Sequence, residues 1–504
     1  MSISRRIIRG IRAGAGLALA ALACGGAAFA QVSTFEGWYG GAGMDQPRDV
    51  IPTTDGAYLA VGHSSLSGGD IYAVKTDRCG TVLWSNTYNL GGNEFAHGVY
   101  QAPNGSYIVV GNMTNGSNAT DAFLMEIRTT GSVAWAYTYG DEKTRDEGHD
   151  LCIDPLTSDI YVAGFRDNLA GNIEGWMFKT NGSGVQSWSR TYGGARTEYF
   201  FGIVLGCTGS LIATGQSNSH NSWSGTGRTD LDVYTVSVAA ATGNLNWAYI
   251  YGRTDVDEWS NALVWDNANS LYVVGAQRDP GTTPDTEPLL LDVHCSAGYL
   301  GDDRYYYNTA SNYYRGEFYD VKMLPDGDIV TAGYIAYRAA PPTVDAYHHV
   351  VEIDAPFLTD NWSKYYPSGM HGYAVAVANV NPVLGDYNLV STGWSALPGP
   401  PTGTLDVYLT ATNEDGTGVC NVLDAPLTEV TPGVSELRIY PAIRDFGDDV
   451  PVSYESREYG EEDLECECTL SRSGSLDTPG LSHATPSRRN GGHPVAVQVT
   501  AARP

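Results

Sequence analysis

The chain has 504 residues, 42% hydrophobic, 11% aromatic and only 17% charged, with 60 glycines. That is too apolar for a disordered chain and too rich in glycine for a helical bundle. The formal charge of −28 argues against a nucleic-acid partner, which needs a basic face to neutralise phosphates.

In chain order, residues 1–30 read as an export signal. Arg5, Arg6, Arg9 and Arg12 form a basic head, a short apolar run follows, and Ala28-Phe29-Ala30 supplies small residues for cleavage before Gln31. The apolar run is too short for a comfortable membrane span. The expected location is therefore secreted, periplasmic or at the cell surface, as a monomer without a membrane span.

From residue 31 onward three phrases recur, and repeats of this length decide the fold before anything else does. The first is aromatic-x-x-x-Tyr, as in Phe35/Tyr39, Trp84/Tyr88, Trp135/Tyr139, Trp188/Tyr192, Trp247/Tyr251 and Trp362/Tyr366, with a worn copy at Tyr305-Tyr306-Tyr307. The second is a short apolar strand ending in glycine, at Gly62, Gly111, Gly164, Gly215, Gly275, Gly333 and Gly393. The third is acid-x-bulky, beginning at Asp70, Asp121, Glu174, Asp232, Glu287, Asp345 and Asp406. Each phrase occurs seven times.

Each unit holds four short strands. In the first copy they are expected at 49–53 (a), 58–62 (b), 71–76 (c) and 82–88 (d). Asp55-Gly56, Asn104-Gly105 and Asp326-Gly327 are tight-hairpin turns between a and b. Four-stranded units repeated seven times predict an all-β fold, a seven-bladed β-propeller over 31–424. The chain opens on a d-type strand at 35–39 and ends its last unit on a c-type strand at 405–412. The N-terminal strand is thus expected to close the last blade and remove an exposed edge. The phrase Gly416-Thr-Gly-Val-Cys420 resembles a further d-type turn that competes for that slot or lies outside it.

Beyond the propeller, 425–468 reads as an acidic appendage with one strand at 435–440. Residues 469–504 read as a disordered Ser/Pro/Gly-rich tail. Seven cysteines follow the leader, an odd number with no metal-binding spacing. A bridge from Cys420 to Cys466 or Cys468 is expected to tie the appendage back.

The run Lys75-Thr76-Asp77-Arg-Cys-Gly80-Thr-Val-Leu-Trp84, with the Tyr-Gly-Gly and Asp-x-Tyr phrases around it, resembles the repeats of bacterial secreted β-propeller proteins. The likeness covers about 35–420, closely in the first four copies and loosely in the last three. It implies export and a propeller but no defined chemistry. The phrase Ala241-Thr-Gly243-Asn-Leu-Asn-Trp247 is also similar to the tryptophan-docking motif of quinoprotein dehydrogenases, where it is structural. Many of those enzymes carry adjacent cysteines beside the cofactor; this sequence has no such pair, and no cofactor is expected.

Two acidic series mark one face. One precedes strand c. The other precedes strand a: Asp45, Glu94, Asp146, Glu198, Glu258 and Glu317, with Met370-His371 in the seventh copy. Asp45, Glu94, Asp146, Glu198 and Glu258 are weak metal candidates, and loose calcium binding at most is expected from them. Three residues past the acids lies a varied set, Arg48, His97, His149, Phe201 and Asn261, with Tyr319 and Tyr373 near the equivalent places. Arg48, His97 and His149 are candidate ligand-binding residues. The longer b–c connections of the fourth to seventh copies add His220, Trp223 and, nearby, Trp259 as aromatic anchors. The expected function is non-catalytic binding of a protein or glycan through the acidic, loop-rich face. The alternative is an exported enzyme acting on a glycan or similar polymer.

Overall fold

The middle strands of each unit are apolar without interruption. Tyr58–Ser64 and Asp70–Thr76 are buried at almost every position, whereas Val82–Asn89 alternates before it enters the core. A strand covered on both faces by neighbouring sheets needs such a run, and an outer strand does not. The computed structural model satisfies this pattern with seven four-stranded antiparallel sheets in a ring, a β-propeller. It describes residues 34–458 apart from short stretches, the longest being 220–228, 280–285, 308–312 and 396–404, and also 496–497. Residues 1–33, which include the expected export signal, and most of those after 458 lie outside the described residues. Among the described residues, no helix is long and apolar enough to cross a membrane.

The first blade contains Asp45–Pro52, Tyr58–Ser64, Asp70–Thr76 and Val82–Asn89 in spatial order a, b, c, d, and the next five blades repeat it. The seventh consists of Met370–Asn381, Asp386–Ser395 and Asp406–Thr412, completed by Phe35–Tyr39. Phe35 pairs with Ala411 and Tyr39 with Val407, so the first strand closes the ring as the order of phrases predicts. Gly416 belongs to the c–d turn of this blade and is not the start of a competing strand.

The repeated tyrosine holds blade to blade. The hydroxyls of Tyr39, Tyr88, Tyr139, Tyr192, Tyr251, Tyr306 and Tyr366 are each donated to the backbone carbonyl of a c–d turn in the next blade. The acceptors are Gly80, Gly131, Gly184, Gly243, Gly298, Leu358 and Gly416, at 2.6–3.0 Å. The turn glycine is required there: Gly184 has φ +81°, and a Cβ on it would stand 2.7 Å from Tyr137. In the worn copy Tyr306 makes the bond, and Leu358 takes the glycine's place at φ 53°. The tryptophans add indole bonds to the same joints, from Trp84 to Thr129, Trp188 to Ala240 and Trp247 to Cys295.

Cys207, in the a–b turn of the fourth blade, is joined to Cys295, after strand c of the fifth, by a disulfide. The bridge spans 88 residues, a loop worth about 4–5 kcal/mol in the chain-entropy description. Cys79 is exposed, and Cys152 is a buried free thiol. Cys420, Cys466 and Cys468, and the bridge expected among them, lie outside the described residues.

The segment after the propeller contributes more than the one strand expected at 435–440. Leu423–Asp424, Thr428–Val430, Ser435–Arg438, Ala442–Asp445, Asp449–Pro451 and Glu455–Glu458 pair antiparallel with the d strands of blades six, five, four, three, two and one, in that order. Ala496–Val497 pairs outside the last of them. The chain thus runs back round the ring as a belt, one short strand on each of blades six to one, with successive strands beginning five to seven residues apart. Such a step reaches at most about 23 Å when extended. The belt satisfies backbone groups that a bare outer strand would leave open to another chain.

Candidate functional site

The seven a strands contact their neighbours all the way round and so line the central channel. Each carries a β-bulge at an equivalent place in its pairing with strand b, and the strands of the sixth and seventh blades slip elsewhere as well. The register slips between Pro47 and Asp49, Ala96 and Gly98, Gly148 and Asp150, Phe200 and Gly202, Ser260 and Ala262, Phe318 and Asp320, and Gly372 and Ala374. The extra residues are Arg48, His97, His149, Phe201, Asn261, Tyr319 and Tyr373, the varied set noted in the sequence. A bulge adds a residue to one strand only and re-aims its side chain.

The glycine of strand b makes the bulge possible. A Cβ on Gly62 would lie 2.0 Å from the carbonyl oxygen of Gln46, and one on Gly164 only 1.8 Å from that of Glu147. The bulged strand occupies that space. Strand b does not end at this glycine, as the sequence suggested; Tyr58–Ser64 runs two residues past it.

All seven bulge residues are half-buried, and neighbours touch around most of the circle. Tyr319 packs on Tyr373 at 5.3 Å between ring centres, and the Arg48 guanidinium lies 4.5 Å over the Tyr373 ring. His97 stacks on His149 at 4.5 Å, and His149 meets the edge of Phe201 at 5.2 Å. Asn261 donates to the Glu317 carboxylate at 2.8 Å and to the Phe318 carbonyl at 2.7 Å.

A second tier lies two residues earlier on each strand, toward the face of the d–a and b–c connections. Here Trp259 donates its indole N–H to Glu317 at 2.7 Å. Tyr199 packs edge-on to Phe165, and His371 stacks on Trp394. Trp394 in turn donates to the Tyr373 hydroxyl at 3.1 Å. In the same tier Glu147 accepts from Arg145 Nε at 2.8 Å and stands 3.4 Å from His149 Nε2. Burial opposes its ionisation, but His149 and Arg145 together hold the Glu147 carboxyl down to about 2. Glu317 behaves oppositely, burial raising it despite bonds from Asn261 and Trp259. Burial first, then the neighbouring charges of His149 and Arg48, pushes His97 down to about 3. Its ring nitrogen Nε2 meets Asn112 Oδ1 at 2.6 Å.

One residue past three of the bulges, Asp49, Asp150 and Asp320 tie the inner strands together. Their carboxylates accept the N–H groups of Val99, Ile203 and Val375 in the next blade at 2.8–3.0 Å. Lys322 donates to Asp320, and its charge also acts on Asp49 and Asp150.

The acidic series before strand a does not line an open face. Asp45, Glu94, Asp146, Glu198 and Glu258 are fully buried, one per blade, beneath the d–a turns. Glu94 accepts the Gly92 N–H at 2.7 Å, Asp146 that of Asp141 at 2.7 Å and Glu198 that of Gly194 at 2.9 Å. Glu258 is bonded by Arg253 at 3.0 Å, while Asp45 and Asp406 flank Gly40. Glu317 is out of register with this series. It precedes its bulge by two residues where the others precede theirs by three, so the pleat turns it into the channel tier.

The structure therefore brings Arg48, His97, His149 and Trp259 into one funnel; His220 and Trp223 lie outside the described residues. Glu147, Phe165 and Tyr199 belong to the funnel and were not singled out in the sequence; Glu317, counted there with the acids before strand a, joins them in the funnel. The strand-b glycine marks each bulge, and counting two residues back along strand a finds Glu147, Tyr199 and Glu317.

No known protein family and no curated protein matches this chain. Among solved structures it is similar to the quinohemoprotein alcohol dehydrogenase from Comamonas testosteroni, at 11% identity and a TM-score of 0.41, over 74% of this chain and 76% of that one. It is also similar to the tail fiber of Staphylococcus aureus phage P68, at 8% identity and a TM-score of 0.21, over 75% and 92%. At these values neither carries an activity, substrate or partner to this chain.

Proposed function

We propose that this chain is an exported, non-catalytic binding protein that holds a saccharide, or a comparable polyhydroxylated ligand, in the mouth of its propeller channel. The leader and the likeness to secreted bacterial propeller repeats support export. The observation that carries the binding reading is the bulge ring: one backbone device, repeated seven times, presents five residue types around one opening. Phe201, Tyr319, Tyr373 and Trp259 offer flat faces, on which sugar rings stack. Arg48, Asn261, His97 and Glu317 offer donors and acceptors that fix orientation.

The test is a glycan-array screen of the purified chain. With a hit in hand, Trp259→Ala and Tyr373→Ala are each expected to weaken binding by about 2 kcal/mol, roughly thirtyfold. Leu156→Ala, at a 92% exposed a–b turn position on the opposite face, should leave it unchanged. Binding lost with Leu156→Ala and kept with the funnel variants places the site on the wrong face.

A second reading, glycan hydrolysis, is favoured by the unequal carboxyls. Burial holds Glu317 toward its protonated form, the state a general acid needs, while His149 and Arg145 hold Glu147 ionised on a strand three blades away. Turnover of a bound glycan that Glu317→Gln abolishes would select this reading.

A further inference from the structure

Two of the seven bulges differ from the rest in what they bring together. His97 and His149 come from adjacent blades, and Glu147 lies two residues before His149 on the same strand. One ligand atom from each of the three lies within 4.8 Å of the others. Ligand atoms around a tetrahedral zinc ion stand ~3.4 Å apart, from bonds of about 2.0–2.1 Å. Because His97 and His149 stand nearly parallel, at 4.5 Å and 20°, binding requires one imidazole to turn out of the stack until the two ring lone pairs converge on the ion.

The surroundings are those of a metal site. Ligating histidines use their second ring nitrogen to bond a carbonyl or carboxylate, which fixes the ring. His97 has such a partner in Asn112 Oδ1 at 2.6 Å. Glu147 is oriented by Arg145 at 2.8 Å. The Nε2 atom of His149 is buried, has no hydrogen-bond partner within ordinary distance among the described residues, and stands 3.4 Å from Glu147 Oε2. Phe165 and Phe201 wall the same ring at 5.4 and 5.2 Å.

We propose that His97, Glu147 and His149 bind a divalent transition-metal ion of the zinc class in the propeller channel. Two imidazoles and one carboxylate suit zinc, nickel or cobalt rather than calcium, which takes oxygen ligands. The fourth position faces the channel and is open to water or to a ligand group. Arg48 and Arg145 are the cations nearby, and Arg145 already bonds the other oxygen of Glu147. The proposal does not rest on saccharide binding, because it is read with the metal alone.

The experiment uses the purified full chain, stripped with chelator and alkylated so that cysteines do not compete. Zn²⁺ is titrated calorimetrically and Co²⁺ by its visible absorption. One equivalent is expected, without thiolate-to-cobalt charge-transfer bands. His97→Ala and His149→Ala should each lower affinity at least ~10-fold, and Asn112→Ala about 10-fold through loss of the outer bond. His294→Ala, at a half-buried histidine that ends strand c of the fifth blade, should leave metal affinity unchanged. Circular dichroism establishes that each variant is folded. Absence of binding to the unaltered chain, or one-equivalent binding that folded His97→Ala and His149→Ala leave intact, overturns the site. Either result leaves the array outcome unaffected, so the two readings fail separately.

Discussion

The outer and inner strands of the blades repeat the same number of times with opposite results. At one position of strand d the residue is tyrosine in every copy, whereas at the bulge of strand a it is Arg, His, His, Phe, Asn, Tyr and Tyr. The tyrosine must span a closed joint and satisfy a buried carbonyl, and few side chains have that length and that donor. The bulge residue faces the channel, where its neighbours are other bulge residues that vary as it does. Sevenfold constancy therefore marks the mechanical part of this protein, and variation at a constant backbone position marks the part free to recognise something.

The sharpest way to break this comparison is to remove the joint that closes the ring. Deleting residues 31–41 takes away Phe35–Tyr39, its pairing with Asp406–Thr412 and the Tyr39 bond to Gly80. The expected product aggregates or is rapidly proteolysed, as seen by size-exclusion chromatography. A monomer with an unchanged melting curve would refute closure by this strand.

Next comes the pH dependence of the buried acids under the d–a turns. Burial raises Glu94 to about 7, Glu198 to about 7 and Glu258 to about 8. In the unfolded chain these groups are ionised above about pH 6, so between about 6.5 and 8 only the folded state still holds their protons. Stability is present below that window and is lost as pH rises through it, by roughly 3 kcal/mol for the three together. His348 and His349, pushed down to about 3 by burial, act in the opposite sense mainly below that window. Denaturant melts at pH 6.5 and 8 read the difference, and equal midpoints would count against acids held in this way.

The smallest effect is also the most direct comparison. Tyr192→Phe leaves the Gly243 carbonyl without its buried donor and should lose about 1–2 kcal/mol in urea unfolding. Asn261→Ser, at a half-buried channel position, should stay within about 0.5 kcal/mol. If Asn261→Ser proves the more costly, the division into joint and recognition surface is wrong.

What was legible in the sequence follows from local chemistry. The number of blades, their four strands, the tight a–b turns and the closing strand are written in three recurring phrases, in glycine turns and in the order of the phrases. Such signals act between residues close in the chain, or between identical units whose partners are the same each time. The varied set was legible too, because the acids before strand a gave it a fixed offset, though in the sixth copy Glu317 stands one residue closer and misled that count.

The rest was decided between blades. Cys207 and Cys295 are 88 residues apart and meet only because an a–b turn of one blade abuts a c–d turn of the next. The belt strands are two to four residues long, too short to announce themselves, and are strands only because six outer edges stand ready to pair with them. The meeting of His97 with Glu147 and His149 likewise depends on ring curvature and on two bulges, which no spacing along the chain records. Sequence alone determined the repeating unit and its closure, because those rest on local pattern; the contents of the funnel were set by tertiary structure, because only the closed ring brings neighbouring inner strands face to face.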